Sequence, residues 1–266
     1  MPYALLLATL ECKKPEVTAP MSKLADAIRR SQRVEAAPMG FGAARPAQRP
    51  TMLVGAVVDA GGVAAASQAG AEVIVVEAPA FSAEDVKKAR EAAGDAVLGA
   101  RTAVASSEDA KALREAGLDF LLVDADTTPA SALLDDDLGY ALALPDAPEE
   151  LFLRSLDALS LEALYLAAVP SPLTVAGQIE LGRVAGLGRK PLLSKTAASA
   201  SKDDLQCLRA AGVAVVLTDA AGVASLKETV ASLPARKTRR DDQRTVVSLP
   251  RGNAGTPEHD DDDDDD

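Results

Sequence analysis

The chain has 266 residues, 48% of them hydrophobic and only 3% aromatic with no tryptophan, which suffices for one large domain or two small ones. Its formal net charge is −12, but much of that sits in the closing run Asp260–Asp266, so the body has no electrostatic attraction for nucleic acid. The one histidine, His259, stands just before that run; this excludes a Ser-His-Asp triad, a Cys-His pair or a histidine-held metal in the folded body, and leaves carboxylates, Lys, Arg, hydroxyls or a bound cofactor for any chemistry.

The first segment, Tyr3–Leu10, is apolar but short and lacks a basic flank, so it makes a poor signal peptide. Met21 opens a better helix, so the true start is either Met1 or Met21, and residues 1–20 are expected to be poorly ordered. Cys12 and Cys207 cannot build a disulfide framework and neither lies in a CxxC pair, which fits a reducing, cytoplasmic setting. No stretch reads as a membrane span. Residues 21–34 read as a helix with Leu24, Ala27 and Ile28 on one face. Pro38, Gly40, Gly42, Pro46 and Pro50 make 35–50 a linker, so 1–50 is expected to be an N-terminal extension of short helix and Pro/Gly linker.

From Thr51 to Leu233 the pattern turns regular. AASQAGAEVIVVEA (65–78), ALREAGLDFLLVDA (112–125) and CLRAAGVAVVLTDA (207–220) each give a helix end, a glycine, a spacer pair and an apolar strand. Gly70, Gly117 and Gly212 occupy the position where a helix closes in the left-handed conformation that glycine adopts freely. The second interval is about twice the first, and the weaker copy LDALSLEALYLAAV (156–169) fills the gap. A second series of strands interleaves: MLVGAVV (52–58), AVLGART (96–102), YALALP (140–145) and PLLSKTA (191–197). Helical runs such as 83–94 and 107–117 lie between them. Eight continuous apolar strands, each followed by a helix, predict an α/β chain folded as a compact (β/α)8 barrel over 51–233. That is short of the roughly 250 residues of a usual barrel, so its loops must be short, with room only after strand six (169–178). Beyond Pro234 the chain is basic and then poly-Asp, and 234–266 is expected to be a disordered charged tail.

Chemistry in such a barrel belongs at the C-terminal ends of the strands. Seven residues after each marker glycine stand Glu77, Asp124 and Asp219, while the sixth strand has Ala167 there; Arg101 and Lys195 end strands three and seven. One reading makes Arg101 the holder of a small anion, Lys195 a base or Schiff-base nucleophile, and Glu77 with Asp124 the proton handlers. A second places a divalent metal on the carboxylates. A third makes the five a structural ion-pair network. The like loops DAGGVAAA (59–66) and DAAGVASL (219–226) offer Gly61, Gly62 and Gly222 at helix starts, where backbone N–H groups can meet phosphate, although Asp59 and Asp219 oppose an anion there.

The stretch GAEVIVVEAPAFSAEDVKKAREAAGDAVLGART (70–102) resembles the second and third units of aldolase-type barrels, citrate-lyase-like enzymes among them, and the resemblance implies a substrate-binding role for Arg101. PLLSKTAASASKDDL (191–205) is similar to the Lys-Thr strand of deoxyribose-phosphate aldolases, which implies a Schiff-base role for Lys195. APMG (37–40) resembles the start of flavin-dependent nitronate monooxygenases. Together these place the chain with the TIM-barrel superfold of aldolase or phosphate-binding type. The functional expectation is a small lyase or aldolase-type enzyme acting on a small carboxylate or phosphorylated substrate, with Asp219 and the loop glycines also binding it. The alternative is a non-catalytic binding or assembly barrel that meets a protein partner, or further copies of itself in a homo-oligomer, through its terminal extensions.

Overall fold

The computed structural model describes residues 22–32 and 51–234. The predicted linker 35–50, the segment 1–20, the charged tail and His259 lie outside the described residues. Contacts divide the chain after Pro234, and the unit Met1–Pro234 holds all of the described structure.

Eight parallel strands close into a ring in chain order: β1 (Leu53–Val58), β2 (Val73–Glu77), β3 (Val97–Arg101), β4 (Phe120–Asp124), β5 (Gly139–Ala143), β6 (Ala163–Leu166), β7 (Leu192–Lys195) and β8 (Val213–Thr218). Closure is made by β1 against β8, from Leu53 opposite Val215 to Ala56 opposite Thr218. Outside lie α2 (Val63–Gln68), α3 (Ala83–Ala93), α4 (Ser107–Glu115), α5 (Glu150–Ser155), α6 (Val175–Gly188), α7 (Lys202–Ala210) and α8 (Val223–Ala231). The unit after β4 departs from expectation, since a 3-10 turn, Ala130–Leu134, stands where a helix was predicted. Between Asp124 and Gly139 the sequence spends its residues on Asp, Thr and Pro, which favour turns over helix interiors.

The helix ends follow local chemistry. Ser82, Ser106, Thr174 and Ser201 accept the backbone N–H three residues on, and Ser82 with Asp85 completes a reciprocal capping box. Gly70, Gly117 and Gly212 sit at φ of 84°, 108° and 105°, the left-handed values their spacing predicted.

Two apolar shells result. The outer one lies between strands and helices, with Ile74, Leu98, Leu121, Leu164 and Val216 facing Val86, Leu113, Leu205 and Leu226. The inner one fills the barrel with Val57, Val75, Phe120, Leu122, Tyr165, Leu193 and Leu217. Glycine makes room for the largest of these. A Cβ on Gly99 would overlap the Phe120 ring, and one on Gly55 would come within 2.6 Å of Leu217.

Helix α1 (Lys23–Gln32) is no free arm. Leu24 and Ile28 join the inner shell, as the predicted helix face required, beside Leu53, Val73 and Val97 at the N-terminal ends of the strands. Ser22 donates to Glu162 through its backbone N–H at 3.3 Å and through its hydroxyl. Lys23 meets Asp119 at 2.9 Å, and Asp119 also accepts from Arg90 at 2.8 Å and from the Leu98 N–H at 2.9 Å. Burial raises the Glu162 carboxyl above its ordinary range, with the Ser22 bonds opposing. The helix thus closes the floor of the barrel and leaves the C-terminal rim as its open end.

Replacing Gly99 by Ala is expected to cost about 1–3 kcal/mol through overpacking against Phe120. Urea unfolding should show a lower midpoint at unchanged slope. An unmoved midpoint would mean that Phe120 does not fill the space over Gly99.

Candidate active site

The strand register brings the predicted charged residues to one end of the ring. Glu77 and Arg101 are direct partners across β2 and β3. Asp124 ends β4, Lys195 ends β7, and Asp219 follows β8. They form two groups on opposite arcs of the rim.

On the β2–β4 arc, Arg101 binds Asp124 in a fork, Nε to Oδ2 at 3.2 Å and Nη2 to Oδ1 at 2.7 Å. Its Nη1 lies 3.6 Å from Glu77 Oε1. All three side chains are a little over one third exposed. The Asp124 hydrogen bonds and the charges of Asp124 and Glu77 hold the Arg101 guanidinium above its usual value, so it is permanently charged and already neutralised. An anion arriving there meets one guanidinium and two carboxylates, which weakens the anion-holding role expected for Arg101. The Thr128 hydroxyl fixes the Asp124 backbone by accepting its N–H at 3.2 Å. An open cleft of about 470 Å³ lies over this group, lined by Glu77, Pro79, Arg101, Thr102, Asp124, Thr127 and Thr128.

On the β6–β8 arc a separate cleft of about 350 Å³ is lined by Ala167, Val169, Lys195, Thr196, Ala198, Thr218 and Asp219. The Lys195 ammonium makes no ion pair and no side-chain hydrogen bond among the described residues. Ser194 and Thr196 flank it in the chain and Thr218 ends the neighbouring β8, and all three are buried. The β6–α6 loop is tied to α7, because Asp204 accepts the Leu173 N–H at 3.1 Å and the Ser171 hydroxyl at 3.3 Å.

The two glycine loops are alike in three dimensions as in sequence. Gly62 and Gly222 cap α2 and α8 at φ/ψ of −84°/−8° and −86°/−12°, and neither helix start has a side-chain cap. Their own amides are taken, however. Gly62 N–H donates to Asp59 Oδ1 at 2.8 Å and Gly222 N–H to the Asp219 carbonyl at 2.9 Å. Gly222 is also needed for packing, since a Cβ there would overlap Ala198. At Gly61 an added Cβ would meet only Asp59 Oδ1, at 3.6 Å, so packing does not require that glycine. Among the described residues no group of three or more His, Cys, Asp or Glu side chains gathers closely enough to hold a metal ion. The three carboxylates expected as an alternative metal site are split between arcs, with Arg101 between two of them.

Sequence reasoning missed Tyr165. It points inward from β6 and is only 1% exposed, filling the barrel just below the rim. Burial first, and the Glu77 charge second, push its phenol up to about 12, with Arg101 opposing. The available signal was an aromatic in a chain with few, two residues before Ala167 and therefore on the same inward face.

No protein family matches this chain, and no curated protein is similar to it in sequence. Solved structures do match in shape. The 3-keto-L-gulonate-6-phosphate decarboxylase from Vibrio cholerae has a TM-score of 0.55 at 12% identity, covering 69% of this chain and 100% of that one. KGPDC from Streptococcus mutans gives 0.54 at 14%, over 69% and 100%. The thiamine phosphate pyrophosphorylase from Pyrococcus furiosus gives 0.52 at 14%, over 68% and 96%. The chain is a TIM barrel. Identities this low establish the fold alone. In a TIM barrel both clefts stand where the loops after the strands build active sites. No helix among the described residues is long and apolar enough to cross a membrane.

Tyr140 and Tyr165 both have phenols pushed up from 10.0 to about 12, chiefly by burial. A raised folded value means that the neutral phenol stabilises the fold fully below pH 10. That contribution is lost as pH rises through 12. Ultraviolet titration should show two late-ionising tyrosines with unfolding close behind, and Tyr165→Phe should remove one of them. Titration of both near pH 10 in the folded protein would contradict their burial.

Proposed function

We propose that the chain is a lyase or aldolase-type barrel enzyme acting on a small carboxylate or phosphorylated substrate at the C-terminal rim. The observation that carries this reading is the unpaired Lys195 ammonium lining an open cleft at the strand ends. A cation that makes no ion pair is a place for a substrate anion or carbonyl, whereas Arg101 is already compensated.

In this reading Lys195 as the free amine attacks the substrate carbonyl carbon. Water leaves as the imine forms, and the cationic nitrogen then accepts the electron pair of the bond that breaks. Asp219, exposed in the same cleft, takes and returns the protons. Glu77, Arg101 and Asp124 hold the remainder of the substrate across the mouth. The decarboxylase and pyrophosphorylase activities of similar barrels show what the frame accommodates, and the assignment to this chain stands on Lys195.

Borohydride reduction in the presence of pyruvate or glyceraldehyde 3-phosphate tests it. A reduced adduct on the Lys195 peptide is expected, absent in Lys195→Ala and in Lys195→Arg. No adduct from either compound, or equal labelling of surface lysines, would overturn the assignment.

A further inference from the structure

Helix α6 is built unlike the helices around it. On α3 the outward residues are Glu84, Lys87, Lys88 and Glu91, and on α4 they include Glu108, Asp109, Lys111 and Glu115. On α6, Leu181, Val184 and Gly188 are buried towards the ring, yet Val175, Ile179, Gly182 and Gly186 on the opposite face are all exposed. Val175 is 76% and Ile179 69% exposed. Steps of four, three and four residues align these four positions in one uncharged stripe down the helix. A helix that is apolar on both faces is suited to being covered on both.

The two glycines of the stripe serve no contact within the described residues. Glycine weakens a helix interior relative to alanine, and it is kept there where a neighbour must come close. Gly188 is such a case, since a Cβ on it would lie 2.6 Å from the Leu164 side chain. At Gly182 and Gly186 an added Cβ would meet nothing within 4 Å.

The stripe is complementary to itself. Val175 and Ile179 stand as far before the midpoint between Glu180 and Leu181 as Gly186 and Gly182 stand after it. Two copies of α6 laid antiparallel about a two-fold axis at that midpoint set Val175 opposite the partner's Gly186, and Ile179 opposite the partner's Gly182. Each branched side chain then lies over a glycine recess. Charge agrees with this pairing. Glu180 and Arg183 at the edge of the stripe neutralise each other, Nε to Oε2 at 2.8 Å, so a second copy is not repelled. The apolar surface also continues onto the α5 segment, which Arg183 holds alongside by donating to the Pro148 carbonyl at 2.8 Å. Leu151 and Leu159 are exposed there, so four of the five large apolar side chains exposed among the described residues stand on these two adjoining segments.

We propose that α6 is the centre of a two-fold interface between two copies of this chain, in which Val175 and Ile179 of each copy seat over Gly186 and Gly182 of the other. Because α6 runs back along the barrel from rim to floor, the antiparallel pair points the two mouths in opposite directions and leaves both open. The pairing stands whether or not Lys195 performs the chemistry proposed above.

Sedimentation equilibrium of the full-length chain tests it. At about 50 µM the mass is expected at twice the 27.3 kDa of one chain. Ile179→Gly removes the knob and should weaken the dimer about ten-fold. Gly182→Ile fills the recess and should leave a monomer. Both positions are exposed, and a Cβ at 182 meets nothing in its own chain, so both variants should fold. The double variant Ile179→Gly with Gly182→Ile exchanges knob and recess and should dimerise again, a rescue that independent surface effects do not give. The proposal is overturned if the parent chain has the mass of a monomer at that concentration, whether another protein or the chain's own residues 3–10 then cover α6. It is equally overturned if Gly182→Ile dimerises as the parent does, which would put the contact elsewhere, or if the double variant stays monomeric.

Discussion

An eight-stranded barrel encloses a space just wide enough for side chains to fill, and every feature of this molecule's open end follows from how that space is filled. Phe120 occupies the volume that Gly99 vacates, Leu217 that of Gly55, and Tyr165 fills the level beneath the rim. With α1 over the floor, apolar side chains fill the barrel between floor and mouth. Ligands therefore meet a shallow surface divided by its own charges.

That division is electrostatic in origin. On one arc the parallel register sets Glu77 beside Arg101, and Asp124 on the next strand completes a compensated group. On the other arc the position homologous to those acids is Ala167, so Lys195 has no neighbouring strand-end carboxylate on β6 and stays unpaired. The two arcs therefore present a compensated ion-pair group and a lysine that makes no ion pair among the described residues.

Much of this was legible in the sequence because it rests on local rules. The marker glycines need a left-handed backbone, and all three have it. The apolar runs needed two buried faces, and all eight became strands of one ring. The rim carboxylates followed from the repeat register alone. What escaped were facts set by neighbours distant in the chain. Leu24 and Ile28 gave α1 an apolar face, but only the closed ring supplies the floor it covers. The pairing of Arg101 with Asp124 depends on the stagger between β3 and β4. Gly222 reads as a phosphate loop until Ala198, from another loop, is seen pressed against it. Tyr165 was hidden in the weakest repeat, where no glycine marked the register.

The account turns on an unequal pair of rim cations, and an anion soak of crystals of the full-length chain measures that inequality directly. Sulfate density is expected beside Lys195, with Arg101 still forked onto Asp124. Sulfate seated on Arg101, with Lys195 paired to Asp219 instead, would contradict it.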